Sequence, residues 1–386
     1  MRNGWEETNL GKVFRLSNRK IGTTAVEPIV FSISKYLGVV LASDYFDHRI
    51  ASLKLENYKI LAPGDWLYST IHIDEGSIAV NHLEVKGVVS PMYTTLKWSS
   101  NSHLSSYFEL LLRMPLTLGV YRDNAQGSIN RRRSLPYTKF SELKFAIPPL
   151  EEQRRIVNVV ESVDAYIAAL QERVDAARIA RNAVLHELLN AGGDGWVEKT
   201  LGEVAEVLDR FRKPINSSER ERRKGNVPYY GATGQTGWIN ESLFDEELVL
   251  LGEDAIDFLN PDVHKAYLVG GPSWVNNHAH VLRAKVDVVL SFFLMESLNA
   301  VDFSQFVAFG TRSKLTQASM MQISIAVPPP LEQQRIVEIV SSMDKSIQAT
   351  EQAIIGAKNL RSGLLSDLLS GEHEIPESYD KLLGAA

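Results

Sequence analysis

The chain of 386 residues contains no cysteine. Disulfides, thiolate zinc sites and a cysteine nucleophile are all excluded at once, and a reducing compartment is expected. No apolar run approaches eighteen residues and no leader-like segment precedes Trp5, so a soluble, cytoplasmic protein without a membrane contact is the expectation. Catalytic signatures are missing as well. There is no Walker A loop, no G-x-G-x-x-G, no H-E-x-x-H and no G-x-S-x-G. His186-Glu187 lacks a second histidine four residues on, the spacing of Gly231, Gly234 and Gly237 does not suit a dinucleotide phosphate, and Asn260-Pro261-Asp262 only half resembles the motif of amino-methylating enzymes. No catalytic residue is assigned. An excess of positive charge is absent too, since the formal net charge is −6.

What the chain does have is a repeat. Ile147-Pro148-Pro149-Leu150-Glu151-Glu152-Gln153-Arg154-Arg155-Ile156-Val157 returns 180 residues later as Val327-Pro328-Pro329-Pro330-Leu331-Glu332-Gln333-Gln334-Arg335-Ile336-Val337, and the match continues without a gap to Leu188-Leu189 and Leu368-Leu369. A second echo marks where each copy begins: Gly4-Trp5-x-Glu7-x-x-Leu10-Gly11-x-Val13 reappears as Gly195-Trp196-x-Glu198-x-x-Leu201-Gly202-x-Val204. A period this long indicates a duplicated domain.

The repeated segment keeps four-three apolar spacing: Ile156, Val160, Val163, Ile167, Leu170, Val174, Ala177, Arg181, Val184 and Leu188 in the first copy, then Ile336, Val340, Met343, Ile347, Thr350, Ile354, Ala357, Arg361, Leu364 and Leu368 in the second. Such a period of 3.5 residues predicts a coiled-coil seam. The proline pairs fix each helix start, and Glu151-Glu152 or Glu332 suits the exposed N–H groups of the first turn. The first helix, of roughly 40 residues, would span on the order of 60 Å. Only five residues join it to the second globule and reach at most about 18 Å, so to bury its seam against the first the second helix has to run back along it; two separate helices seeking outside partners are the alternative. Arg181 and Arg361 interrupt the seam at equivalent places and are expected to lay their stems along the partner helix with their heads in solvent.

The globules read as α+β, with strands around residues 247–251 and 280–283 and helices around 104–113 and 291–298. The expected organisation is a first globule at 1–146, a first helix at 147–191, a second globule at 192–326, a second helix at 327–371 and a tail at 372–386. It forms two similar α+β domains separated by an antiparallel coiled coil in a pseudo-two-fold, circular arrangement, with the tail beside the first globule.

The overall acidity hides an uneven distribution. Residues 1–146 carry +5, residues 191–326 carry −5. Within the acidic globule lies a dense basic stretch with Arg210, Arg212, Arg222 and Arg223, and Arg312 and Lys314 precede its helix. In the first globule Ser128, Asn130, Arg131, Arg132 and Arg133 form the matching cluster, because Leu135 and Leu315 each stand thirteen residues before their Pro148 or Pro328. Guanidinium groups at equivalent places suit phosphate contact or bidentate reading of guanine, and a solvated charged loop is the alternative. Thr233 and Gln235 in a glycine-rich turn, with Asn276, Asn277 and His278, add donors and acceptors for base edges; a hairpin turn and satisfied strand-end residues are the alternatives. His278 and His280 would share one face of a strand, but no third ligand is near in sequence and no metal is assigned. The outward helix faces, with Arg154, Arg155, Arg173, Arg178, Gln333, Gln334 and Arg335, offer a partner surface or simply a solvated coiled coil.

Taken together, the Trp-x-x-x-x-Leu-Gly starts, the two dissimilar globules and the two Pro-Pro-Leu-Glu-Glu-Gln-Arg-Arg-Ile-Val-like helices resemble the specificity subunit of a type I restriction-modification system. The resemblance covers essentially the whole chain, and residues 88–93 and 231–234 are similar to segments of that family's recognition domains. It implies two target-recognition domains, each reading one half of a split double-stranded DNA sequence, with the helices as a ruler. It implies no catalysis and no cofactor in this chain. Two methyltransferase subunits would bind S-adenosylmethionine and methylate adenine at N6, and restriction subunits would use ATP and Mg. The residue pattern also leaves an unrecognised enzyme and a protein-only scaffold as competing readings. The missing motifs weigh against the first, the basic first globule and the paired arginine loops against the second.

Overall fold

The computed structural model describes residues 4–24, 27–46, 52, 54–127, 133–260, 263–308 and 313–383. The chain divides into two compact units, Met1–Leu170 with Ala353–Ala386, and Gln171–Gln352. Each unit therefore holds one globule and a stretch of both long helices. The division differs from a boundary at the proline pairs because hydrophobic packing joins each globule to its helix segments.

In each unit the globule is closed by a pairing of its first and last strands. Glu6–Asn9 runs antiparallel to Lys144–Ile147, and Val197–Thr200 antiparallel to Ser324–Val327. Gly4 and Gly195 both adopt φ of +87°, a left-handed conformation that favours glycine and turns the chain into the following tryptophan. Trp5 and Trp196 then donate from Nε1 to Glu152 and Glu332, at 3.2 Å and 3.0 Å.

Each globule centres on a four-stranded antiparallel sheet. In the first unit the order is Phe14–Ser17, Tyr93–Trp98, Trp66–Ser69, Ile78–Val80; in the second it is Ala205–Val207, Ala279–Ala284, Leu248–Gly252, Ala266–Val269. The second unit adds a mixed sheet in which Gly234–Ile239, Val227–Gly231, Pro272–Val275 and Phe244–Asp245 are neighbours. The helices expected near 104–113 and 291–298 are Ser105–Leu111 and Ser291–Asn299.

The long helices are Leu150–Asn190 and Pro330–Ser370. The proline pair ends the last strand and starts the helix, so residue 147 lies in the strand rather than in the helical segment. Every seam position of both copies is buried or half-buried. In the first unit Ile156 and Val157 share a core with Leu10, Phe14, Leu368 and Leu369, and Ile375 from the tail joins it. In the second, Leu185, Ile336 and Val340 share a core with Leu201, Leu251 and Leu294. Contacts within each unit show the direction: Arg178 meets Glu351 and Arg181 meets Asp344 in one, while in the other Asp164 meets Arg361 and Ile156 and Val157 share a core with Leu368 and Leu369, so rising numbers on one helix face falling numbers on the other. The helix segments pair antiparallel.

Arg181 does not send its head to solvent. It is 7% exposed and its guanidinium bridges Asp344 of the second helix and Glu296 of the globule. Burial alone would disfavour the charge, but the hydrogen bonds from Asp344 and Glu296 hold the group more firmly protonated than a free arginine. Arg361, its counterpart, is half-buried against Asp164.

Candidate nucleic-acid interface

Five sequence-distant segments meet at one end of the second unit's central sheet. Glu253 follows the strand Leu248–Gly252; its backbone N–H donates to the carbonyl of His278 at 2.8 Å, and its own carbonyl accepts from Leu315 at 2.8 Å. Its carboxylate takes Arg212 Nη1 at 2.6 Å and Lys314 Nζ at 2.8 Å. Arg212 also donates to the carbonyl of Ala279 at 2.8 Å and pairs with Asp209 at 3.2 Å. The hairpin turn at 231–234 is held against the same group, because Asn276 N–H donates to the Tyr230 carbonyl at 3.1 Å and the Tyr267 hydroxyl donates to Gly231.

Buried beneath these loops, His280 is 1% exposed and lies between two acceptors, the Asp209 carboxylate at Nδ1 and the Leu315 carbonyl at Nε2, 2.9 Å away. Asp209, Glu253 and His280 have ligand atoms within 4.8 Å of one another, a grouping that could hold a metal ion. Arg212 and Lys314 already pair with those carboxylates, so the protein's own cations occupy the place a metal would take. Burial would raise the Glu253 pKa, yet hydrogen bonds from Lys314 and Arg212 bring it below the ordinary carboxylate range, and Glu253 in turn raises the Lys314 ammonium.

The candidates read from sequence therefore divide. Thr233, Gln235, Asn277 and His278 are exposed at this end, with His278 paired to Asp254 at 2.6 Å and Gln235 Nε2 donating to Gly237 at 3.1 Å. Asn276 is buried, its side chain accepting the His278 N–H at 2.8 Å, and positions the turn from within. Arg212 lies inside the loops and is spent on Glu253 and Asp209. Lys314 is exposed but also paired to Glu253. Arg223 stacks over Trp274 at 4.7 Å and pairs with Glu219 and Glu241, which makes it a structural side chain. Arg210 is exposed over the Phe211 ring, and Arg222 is exposed with no ion pair among the described residues. Ser128, Asn130, Arg131, Arg132 and Arg312 lie outside the described residues. Arg133 is half-buried and donates to the Ala125 carbonyl at 2.9 Å. His278 and His280 do not share a strand face: the strand begins at Ala279, leaving His278 in the preceding turn.

The outward helix faces are corrected in two places. Gln333 is 1% exposed, with Nε2 donating to the carbonyls of Pro328 and Val288 and Oε1 accepting from Leu290 N–H at 2.9 Å. Arg155 is buried against Asp380 of the tail at 2.9 Å. Neither offers a docking surface. Arg154, Arg173, Arg178, Gln334 and Arg335 are exposed.

Two of these placements have counterparts in the first unit. Leu135 N–H donates to the Thr70 carbonyl at 2.8 Å, as Leu315 does to Glu253. Strand Tyr93–Trp98 stands in the sheet where Ala279–Ala284 stands in the other, so the turn at 90–92 occupies the place of 276–278. The fold brings Asn276, Thr233 and Lys314, named from separate stretches of sequence, to one end of the sheet; the sequence reading did not name Asp209, Glu253 or Tyr267, which assemble it. Their partners lie far apart in sequence, and no local pattern marks them.

The type I restriction modification DNA specificity domain family matches residues 193–358. A putative type I restriction enzyme specificity subunit of Haemophilus influenzae is 35% identical over 159 residues, 41% of this chain and 40% of that protein. The putative MjaX specificity subunit of Methanocaldococcus jannaschii is 20% identical over 82% of this chain and 80% of its own length. Residues 193–358 thus match the type I specificity domain, and most of the chain is similar to specificity subunits. Solved structures of specificity subunits share its fold. A chain from a structure of type I restriction-modification complex assembly and conformational transition has a TM-score of 0.62 at 18% identity, covering 96% of this chain and 98% of that one. The HsdS subunit from Thermoanaerobacter tengcongensis has a TM-score of 0.54 at 18% identity, over 97% and 98%.

Proposed function

We propose that this specificity subunit reads a bipartite double-stranded DNA target, one half through the loops of each unit. The observation that carries the reading is the paired loop end: in each unit a turn before a central strand, the backbone at Leu135 or Leu315 and the end of the neighbouring strand stand at corresponding positions. Turns there present Ser90 in one unit and Thr233, Gln235, Asn277 and His278 in the other, so the half-sites differ and the target is asymmetric. The two long helices set the gap between the half-sites, and their exposed faces, with Arg154, Arg173, Arg178, Gln334 and Arg335, dock methyltransferase subunits. The chain has no catalysis of its own. Its partners supply it: two methyltransferase subunits with S-adenosylmethionine for adenine N6, and restriction subunits with ATP and Mg.

The test is co-purification of the full chain with its candidate methyltransferase, followed by mapping of N6-methyladenine in DNA exposed to the complex. Exchange of residues 1–146 or 196–326 for those of another specificity subunit should switch one half of the methylated motif and leave the other. Methylation without a split motif, or both halves changing together, would refute the two-reader account.

A further inference from the structure

Several buried or paired cations in this protein find carboxylates: Arg155 has Asp380, Arg181 has Asp344 and Glu296, Arg212 has Glu253, and Lys97 has Asp65. Lys59 is an exception. It is half-buried on the short strand Lys59–Leu61, and its Nζ donates to the Tyr93 carbonyl. Its backbone is bridged to that of Lys20, whose own Nζ donates to Asn57 Oδ1 at 2.9 Å. Neither ammonium has an ion pair among the described residues. Burial first, and then the neighbouring charge of Lys20, bring the Lys59 ammonium below its ordinary range.

Two like charges held together without a counter-ion disfavour the folded chain, and an anion would relieve that repulsion. Each ammonium has three donors, and each gives one to the contact named, so the pair keeps donors for an oxyanion. The location gives the anion its class. The strand carrying Lys59 pairs with Gly87–Val89, which leads directly into the 90–92 turn, and Tyr93, whose carbonyl Lys59 holds, closes that turn by donating its N–H to the Ser90 carbonyl at 3.1 Å. The turn also walls a cavity of about 220 Å³, with Ile33, Ser69 and His72. This is the counterpart of the 276–278 turn at the loop end of the second unit.

We infer that Lys20 and Lys59 form a seat for a backbone phosphate of DNA beside the first unit's 90–92 turn. The inference rests on the DNA-reading function proposed above, and it assigns a first-unit contact to residues that the sequence reading did not name. A phosphate there fixes the duplex relative to the turn while carrying no base information, so the seat contributes equally to every sequence.

The experiment measures affinity for a labelled random-sequence duplex against NaCl concentration, using the full chain alone and with its co-purified methyltransferase. Lys20→Gln and Lys59→Gln should each flatten the slope of log affinity against log salt by about one, and the double variant by about two. Lys59→Arg, which keeps the charge, should retain the wild-type slope. Without DNA, Lys20→Gln should melt no lower than wild type, because a repulsion has been removed. Wild-type slopes in the Gln variants, or lost affinity with an unchanged slope and a lowered melting temperature, would overturn the seat while leaving DNA reading intact. Wild-type protein that retains no duplex in either form would instead remove the reading beneath it.

Discussion

Glu253 shows how one side chain can organise a loop end whose visible residues are all elsewhere. Its carboxylate fixes Arg212 and Lys314, and its backbone ties residues 278 and 315. Because its folded pKa lies below the ordinary value, its stabilisation is complete above the ordinary carboxylate range and fades as pH falls through the folded value. Glu253→Gln should therefore lower the melting temperature at neutral pH, and the gap to wild type should close as pH is taken below about 4.5. A gap of constant size down to pH 3 would show that the charge is not what stabilises the loops. Residues of this kind were not legible in the sequence. Arg212 reads as a surface cation because its partner stands 41 residues away, and Arg155 likewise because Asp380 is 225 residues away. The seam, by contrast, was legible at every position, because each apolar residue is explained by neighbours three and four places along the same helix.

At the scale of elements, the two units differ where their helices meet their globules. Leu104 and Leu290 precede equivalent helices, Ser105–Leu111 and Ser291–Asn299, and both N–H groups are taken by the repeated glutamines. Six residues on, the second unit has Glu296, which closes over Arg181, while the first has Leu110. There the corresponding place is a cavity of about 650 Å³ with Leu110, Asp164 and Arg361 in its wall. Removing one member of a buried ion cluster costs more than the cluster contributes, since a charge is left short of partners. Glu296→Ala should destabilise the second unit by about 3 kcal/mol and speed amide hydrogen exchange in Ser291–Asn299. Unchanged exchange there would mean that packing alone holds this helix in place. The sequence pointed to the helices themselves, but the exchange of leucine for glutamate reads as an ordinary surface difference until Arg181 is seen beneath it.

At the scale of the whole molecule, the proposed ruler makes a numerical expectation. Deleting one heptad from each long helix in register removes about 10 Å of helix, and the gap between methylated half-sites should shorten by about three base pairs with the half-sites unaltered. An unchanged gap, mapped by N6-methyladenine sequencing, would show that the helices do not set the spacing. The duplicated organisation was legible because two echoes at different offsets bracket each globule. The strand that closes each globule was not assigned, since its four residues pair with the far end of the same globule and carry no period of their own.

Gln153 and Gln333 carry a consequence for how such chains change over evolutionary time. Gln153 accepts from Leu104 N–H and donates to the Pro148 carbonyl, both at 2.8 Å, and Gln333 repeats this with Leu290 and Pro328 at 2.9 Å. The fastening made by each amide engages only main-chain groups, the carbonyl of the proline pair and an N–H of the globule, and every residue except proline supplies such an N–H. This joint is blind to side-chain identity, so it places little constraint on drift within the globules. A lineage could acquire a foreign recognition segment by recombination and inherit a working socket for it at this joint, without compensating mutations there.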